Sequence, residues 1–484
     1  MGYPSRQRLR LLAWALVTAA SAAPATAQIF HSSYFVGDTG SDIASVRRTD
    51  DGGFVGVGQF AGVGTVFKLK ADGSIVSGTS FGPVRPVAVR PTAGGGIAWI
   101  GNVPDPTTPV PIFVLADAAG TPKRTLRFAV PQLRTEIVAL EEDPRDGGFW
   151  VGGNAWVSAK VQMPWLAHLD KQGALLWIGA FQRDTGSSVR LEALVPTNEP
   201  GTLAVGNWVW DGSPTDQRGL FAMRVNGKGG LLWARSYYEH VARDTSEQWF
   251  VDVTRDPRST GSIVYAAAHV DKICGINTAL PCIDLFTGGL IVAIDENSGD
   301  VDGWLLAKTK VNTASFEPTT IVRDEGNDLV GMGGVLDKGT SGSREATLVL
   351  ARLKRGPSST LLGARSYGDR RGPFTSQVAD LSLYAWPTSP VREPGFVLAN
   401  HQSGSGTDRP TVLTTDVDGK SAPECEEAAE LFPSPTLVST FPLILEAKTA
   451  AAESFILTAT PRALMRVPCL LIGPVAPTEK TSTR

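Results

Sequence analysis

One short pattern recurs along the chain and restricts the possible folds more than any other feature. An apolar strand opens on a glycine, or once on an asparagine, and successive copies start 43 to 68 residues apart. The seven copies begin at Gly53, Gly96, Gly148, Gly201, Gly261, Asn327 and Gly395. Units of this length usually stack on one another, so the pattern predicts one repeat architecture rather than a series of unlike domains.

Each copy lies within a longer unit of four predicted strands. An alternating strand comes before it, as at Ile43–Arg47, and a third strand follows, as at Trp165–Leu169. A glycine-containing turn then leads to a fourth strand, which is clearest at Leu231–Tyr237. Four antiparallel strands repeated seven times are typical of a β-propeller. We therefore predict an all-β, seven-bladed β-propeller.

Near the start of the chain, one segment matches the fourth strand of a unit although no first, second or third strand precedes it. Ile29–Phe35 resembles Leu361–Tyr367, yet it precedes the first full unit. We predict that it closes the ring as the outer strand of the last blade, which removes two exposed edges. The predicted propeller spans 28–420, with blades near 42–83, 84–131, 132–182, 183–239, 240–308, 309–369 and 370–420 plus 29–37.

The repeat ends near Lys420. Residues 421–472 are predicted as a short C-terminal β extension covering the side or one face of the ring. Its strands are expected at Thr436–Leu445, Phe455–Ala459 and Met465–Leu471. Residues 473–484 are predicted to be a disordered tail.

Residues 1–27 have the features of a secretory signal peptide. Three arginines precede an apolar run of about ten residues, and Ala25-Thr26-Ala27 forms a small-residue cleavage site. That run is too short to span a bilayer, and no later segment is a better candidate. We expect a secreted or periplasmic protein after cleavage near Ala27. The formal net charge of −3 excludes the basic field of a nucleic-acid-binding protein.

The four cysteines form an even set that suits an oxidising compartment. Proximity in sequence favours Cys274 with Cys282 and Cys425 with Cys469, although four cysteines allow three pairings. Since the chain has neither a Cys-x-x-Cys pair nor a Cys/His cluster, we predict no thiolate zinc site.

The turns have similar sequences in four segments, Asp51–Phe54, Asp146–Phe149, Leu169–Trp177 and Ile294–Trp304. These segments resemble the turns of bacterial secreted β-propellers of the quinoprotein-like kind. The resemblance implies the propeller fold over roughly 29–420. Quinone-dependent activity is not expected, because this chain lacks the adjacent-cysteine disulfide that the resemblance would require. The repeated tryptophan is interpreted as blade packing, and no cofactor is predicted.

A polar position recurs six residues after each start of the pattern. It holds Gln59, Asn102, Asn154, Asn207, Ala267, Gly333 and His401. Turn chemistry explains asparagine at such places, while a ring of polar side chains facing a ligand is the alternative.

Aromatic residues follow this position in two neighbouring units. Trp156, Trp208 and Trp210, with Asn154, Asn207 and His401, are the candidate ligand-binding residues. Packing of these tryptophans under neighbouring loops is the structural alternative. Our leading hypothesis is a binding or scaffold module for a glycan or an exported protein.

The alternative hypothesis is a carbohydrate-active enzyme, most plausibly a polysaccharide lyase. Its candidate catalytic residues are His240, Tyr237, Arg243 and His269. Such a reaction needs a cation to neutralise a uronate, a base for the α-proton and an acid for the leaving oxygen. Serine-elbow, zinc-protease and phosphate-loop motifs are absent. Asp295–Asp300 has some spacing of a calcium loop but lacks the closing glutamate, which favours a hairpin turn and leaves no metal site predicted.

Overall fold

The computed structural model is all-β over the residues that it describes. These are 31–35, 41–106, 108–182, 188–209, 218–239, 247–255, 261–273, 286–309, 315–324, 328–337, 344–353, 359–367, 375–384, 395–404, 407–416, 418, 420, 426–428, 431–434, 438–442, 446–448, 451–454, 460–461 and 465–468. Within these ranges, no helix is long and apolar enough to cross a membrane.

Most of the described chain lies in strands. In chain order they are β1 His31–Phe35, β2 Ser41–Arg48, β3 Phe54–Phe60, β4 Val63–Leu69, β5 Ile75–Ser80, β6 Arg85–Pro91, β7 Ile97–Val103, β8 Val110–Ala116, β9 Pro122–Ala129, β10 Arg134–Glu142, β11 Phe149–Trp156, β12 Gln162–Leu169, β13 Leu175–Gln182, β14 Ser188–Pro196, β15 Gly201–Val209, β16 Arg218–Asn226, β17 Leu231–Glu239, β18 Glu247–Thr254, β19 Ile263–Ile273, β20 Phe286–Asp295, β21 Val301–Thr309, β22 Ser315–Asp324, β23 Leu329–Asp337, β24 Arg344–Arg352, β25 Thr360–Tyr367, β26 Thr375–Tyr384, β27 Gly395–Gly404, β28 Thr407–Thr415, β29 Glu426–Ala428, β30 Leu431–Ser434, β31 Val438–Pro442, β32 Glu446–Lys448, β33 Ala451–Ser454, β34 Thr460–Pro461 and β35 Met465–Pro468.

The strands form seven antiparallel blades, which confirms the predicted seven-bladed propeller. Blades 1 to 6 are β2–β5, β6–β9, β10–β13, β14–β17, β18–β21 and β22–β25. Blade 7 contains β26, β27 and β28, and β1 pairs with β28 through His31 and Leu413. The first strand of each blade lines the centre. The upper face is the end where first strands begin and second strands end.

Residues 426–468 run around the outside of the propeller as a belt. Its seven short strands, β29 to β35, each pair antiparallel with the outer strand of a different blade. The blades are met in the order 6, 5, 4, 3, 2, 1 and 7. The predicted extension is thus an outer layer; β31 and β35 fall within two of its predicted strands, while 455–459 and 473–484 lie outside the described residues. The belt pairs with edges that would otherwise be open to association.

Large aromatic side chains fill the spaces between and within blades. Trp99, Trp150 and Trp165 are fully buried. Trp233 of blade 4 packs on Gly299 in the last turn of blade 5, where φ is +75° and an added Cβ would lie 3.0 Å from the indole. The Tyr237 hydroxyl also donates to the Gly299 carbonyl at 2.9 Å. The tryptophan that follows the repeated turn therefore joins neighbouring blades in this case.

Candidate functional site: the central channel and upper face

A β-bulge occurs at the same place in the inner strand of every blade. The bulged residues are Ala44, Val87, Val138, Glu192, Val251, Thr319 and Ala379. A bulge adds one residue opposite a regular strand, bends it and redirects the side chains near it. The seven bulges surround the centre of the ring, where the inner strands line a cavity.

The cavity has a volume of about 130 Å³ and an unusually charged lining for the centre of a β-sheet protein. Residues from all seven inner strands contribute to it. Its charged residues are Arg47, Arg90, Glu141, Glu192, Asp252 and Asp380.

Four of these residues form the ion-paired wall of the channel. Arg47 of blade 1 donates to Asp380 of blade 7, which also accepts the Val46 backbone N–H at 3.0 Å. Arg90 of blade 2 binds both oxygens of Glu141 of blade 3, with Nε to Oε2 at 2.9 Å. Each pair thus joins two blades while it balances the charge of the lining.

The other two residues, Glu192 and Asp252, form the carboxyl wall in blades 4 and 5. Burial raises the pKa of Glu192 to about 7, although Arg190 and Asn207 oppose this effect. Arg190 approaches within 2.9 Å but is 46% exposed, so solvent weakens its influence. Burial likewise raises the pKa of Asp252 to about 6 against opposing hydrogen bonds from Ile321, Thr320 and Val253. This wall can therefore take up protons near neutral pH.

The sequence analysis did not single out the carboxyl wall. Its signal is a lone acid within an otherwise apolar inner strand, as in Leu191-Glu-Ala-Leu194 and Phe250-Val-Asp-Val253. Recognising it requires the position of the bulge, which only the strand register supplies.

The predicted polar ring lies above this cavity and serves chiefly to join blades. The Asn154 amide accepts from the Leu191 N–H at 2.7 Å and donates to the Leu191 carbonyl at 3.0 Å. Asn102 makes the same two bonds to Ile137, both at 3.0 Å. Asn207 donates instead to Glu192 at 3.1 Å. In these three blades the polar side chain therefore bonds to the backbone of the next blade or to a bulged residue. Turn chemistry does not explain the asparagine.

Strand register changes the membership of the ring in two blades. The ring residue pairs two positions before the bulge, and in blade 5 that residue is His269, not Ala267. In blade 6 it is Val335, not Gly333. The apolar strands of these blades begin two residues later than the repeat suggested. His269 is 6% exposed and stacks on Trp249, with ring centroids 4.1 Å apart.

The three candidate tryptophans have different surroundings. Trp208 is 8% exposed and belongs to the core between blades 3 and 4. Trp156 ends β11 at the upper face, half-buried, with the Arg134 guanidinium 4.5 Å from its ring centroid. Trp210 lies outside the described residues.

Of the four lyase candidates, Tyr237 and His269 lie within the described residues. Tyr237 is buried on an outer strand, and desolvation raises the pKa of its hydroxyl above the usual range. His269 lies instead in the ring above the channel. His240, Arg243 and the four cysteines fall outside the described residues. For His401 the structure gives its strand position, opposite Gln377 and Pro410.

The possible calcium loop is a hairpin turn. One oxygen of Asp295 accepts the backbone N–H groups of Asn297 and Ser298 at 2.9 and 3.0 Å. That carboxylate oxygen is thus used within its own turn.

Comparisons with known proteins return distant structural likenesses. No protein-family model matches the chain, and no curated protein has a significantly similar sequence. Among solved structures, the neuraminidase-like protein of subtype N11 of A/flat-faced bat/Peru has 11% identity and a TM-score of 0.37, covering 80% of this chain and 90% of that one. Drosophila Plexin A, solved in complex with Semaphorin 1b, has 8% identity and a TM-score of 0.41, with coverage of 80% and 87%. The architecture stated above rests on the strand pairing.

Proposed function

We propose that this protein is an exported binding module whose partner docks on the upper face of blade 3. The observation that supports this proposal is the surface formed by Arg134, Trp156 and Val157. Trp156 is stacked against Arg134, and Val157 beside it is 38% exposed. Tryptophan and arginine are the residue types most enriched among binding hot spots.

The geometry favours an exported protein over a glycan as the partner. A glycan usually stacks on an open aromatic face, whereas one face of Trp156 is already covered by Arg134. A protein partner can use the guanidinium, the half-buried indole and Val157 together. Glycan binding is therefore the competing outcome of the test.

The test compares Trp156→Ala and Arg134→Ala with the wild type. Binding is measured by interferometry against fractionated exported proteins of the source organism, and against an array of neutral and acidic glycans. Both variants should lose binding to the same protein fraction. The matched control is Leu176→Ser, which removes an apolar side chain that is 55% exposed on the outer strand of the same blade. Unchanged binding in Trp156→Ala would show that the partner docks elsewhere.

A polysaccharide lyase remains the alternative from the sequence, with His240 as its key residue. The test is a screen of acidic polysaccharides for the ultraviolet absorbance of unsaturated uronates. Product formation that disappears in His240→Ala would establish the enzyme and displace the binding-module proposal.

Export and disulfide formation belong to the same proposal. Cys425 immediately precedes β29 on blade 6, and Cys469 immediately follows β35 on blade 7. The pairing of Cys425 with Cys469 is proposed from their proximity in sequence, as is that of Cys274 with Cys282. Mass spectrometry of the exported protein, digested without reduction, should identify that pair and the Cys274–Cys282 pair, with Gln28 as the first residue. A different pairing would refute the proposed disulfides. An uncleaved signal peptide would refute the proposed export.

A further inference from the structure

Three residues on the lower side of blade 3 bring potential metal ligands together. Asp143 and Asp146 belong to the turn between β10 and β11, and His168 lies on the adjacent strand β12. One ligand atom from each residue lies within 4.8 Å of the others. Asp143 and His168 are buried, whereas Asp146 is exposed, so the group opens to solvent on one side.

The imidazole of His168 is an unusual group to bury. The residue is 7% exposed, and neither ring nitrogen has a hydrogen-bond partner of normal geometry. Its ring stacks on Trp150, with centroids 4.1 Å apart and planes 6° apart. A neutral imidazole with an unused lone pair is the form that binds metals.

The ring nitrogen points toward the turn. A Cβ added to Gly148 would lie 2.9 Å from Asp146 Oδ1 and 3.5 Å from His168 Nε2. The absence of a side chain at Gly148 therefore leaves the nitrogen and the carboxylate oxygen facing a common space. An unsatisfied buried polar group is costly, and a bound ion would satisfy it.

The corresponding positions of two other blades carry a permanent positive charge. The strand register aligns His168 with Lys68 in blade 1 and Arg224 in blade 4. Arg224 donates to Glu199 at 2.8 Å, and the charge of Lys68 helps to lower the pKa of Asp51. In blade 3 a neutral side chain occupies this place beside two acids. A cation bound to His168 would supply the charge that the other two blades carry covalently.

We propose that Asp143, Asp146 and His168 form a binding site for a divalent transition metal ion. One imidazole nitrogen with carboxylate oxygens suits Zn²⁺ and Co²⁺ better than calcium or magnesium, which prefer oxygen ligands alone. Trp150 Nε1 donates to Asp143 Oδ2 at 3.0 Å and holds that carboxylate in place. Such support of a ligand by a neighbouring hydrogen bond is common at metal sites.

Arg145 competes with the metal for Asp143. Its Nε donates to Oδ1 at 2.8 Å, and its Nη2 donates to Oδ2. The Arg145 side chain is 29% exposed, so the guanidinium can turn to solvent when an ion binds. Arg145 should therefore weaken the site without being a ligand.

The experiment measures binding of Zn²⁺ to protein without an affinity tag by calorimetry, and binding of Co²⁺ by its visible absorption. The wild type should bind one ion, and His168→Gln should abolish this binding. Arg145→Ala should tighten it by about tenfold to a hundredfold, because charged hydrogen bonds no longer compete with the ion for Asp143. The control is Asp51→Asn, which changes the matching turn in blade 1 and should leave binding unchanged. Thermal unfolding without metal confirms that each variant is folded.

Two results would overturn the site. One is Zn²⁺ binding in His168→Gln that equals the wild type, which would show that His168 is not a ligand. The other is a folded Arg145→Ala variant that binds no ion in either assay.

Discussion

The two walls of the central channel use the same strand and the same bulge but treat charge in opposite ways. On the ion-paired wall, Asp380 and Glu141 each meet an arginine from a neighbouring blade. On the carboxyl wall, hydrogen bonds hold Asp252, and the arginine next to Glu192 is 46% exposed to solvent. The difference shows that this scaffold tolerates an acid at the channel without a buried cation, at the cost of a raised pKa.

The largest effect is expected where the ion-paired wall is broken on one side. Asp380→Ala leaves Arg47, which is 20% exposed, without its partner and removes the acceptor of the Val46 N–H. Loss of one member of a buried pair should lower the free energy of unfolding by about 3 kcal/mol. Denaturant unfolding measures this change. The double variant Arg47→Met, Asp380→Leu should regain at least half of it; an equal loss would show that the pair is not coupled.

The next effect concerns the border between the walls, where Asn154 ties blade 3 to blade 4. Asn154→Ala leaves the N–H and carbonyl of Leu191 unsatisfied at a fully buried position, which should cost about 2 kcal/mol. Asn207→Ala removes one bond to Glu192 and should cost roughly half as much. Equal losses in the same unfolding assay would contradict the role of Asn154 as the blade tie.

On the carboxyl wall, a substitution is expected to raise the free energy of unfolding instead of lowering it. Because the pKa of Glu192 rises from its ordinary value of 4.5 to about 7 on folding, ionising it destabilises the folded form. Stability from this group is present below pH 4.5 and is lost as the pH rises through about 7. Glu192→Gln should therefore raise the free energy of unfolding at pH 8 by about 1 to 3 kcal/mol. Glu141→Gln, the control on the ion-paired wall, should lower it.

Measurement at several pH values distinguishes this explanation from a change in packing. The gain in Glu192→Gln should fade between pH 8 and pH 5. A gain that is the same at both pH values would show that ionisation is not its cause.

The smallest effect is expected for Asp252→Asn. The pKa of Asp252 is raised to about 6, so its contribution falls as the pH rises from about 4 to about 6. Asparagine removes this dependence but also weakens hydrogen bonding to Thr320 and Ile321, at 2.8 and 3.0 Å. The net change at pH 7 should be under about 1 kcal/mol. Unfolding at pH 4.5 and pH 7 tests whether the pH slope is lost.

The repeat predicted the blades because each turn needs its glycine and each core strand its apolar residues. The register of the strands was harder to predict from the sequence, since it depends on pairing with residues distant in sequence. Gly261 and Asn327 resemble strand starts, yet pairing begins the strands at Ile263 and Leu329. The same shift concealed the ring position of His269. Belt strands as short as Thr460–Pro461 have too few residues to show an alternating pattern.

The candidate site was predictable from the sequence only where its residues recur from blade to blade. The ring asparagines stood out because they recur, but their partners, such as Leu191, lie on the next blade and emerge only from the packing. Trp156 and Trp208 look alike in sequence, and only the fold separates a surface residue from a core residue. Glu192 and Asp252 do not share a motif, so nothing in the sequence joins them.

The belt has a consequence for the order of assembly. β1 is the first described strand of the chain, and its neighbours are β28 and the final strand β35. The first and last described strands therefore reach their places only after nearly all of the chain between them is available. Such distant pairings make folding slow, because a long loop must close before the contact forms. The belt is therefore completed last, since a chain that ended before Met465 would leave β1 without one of its two partner strands.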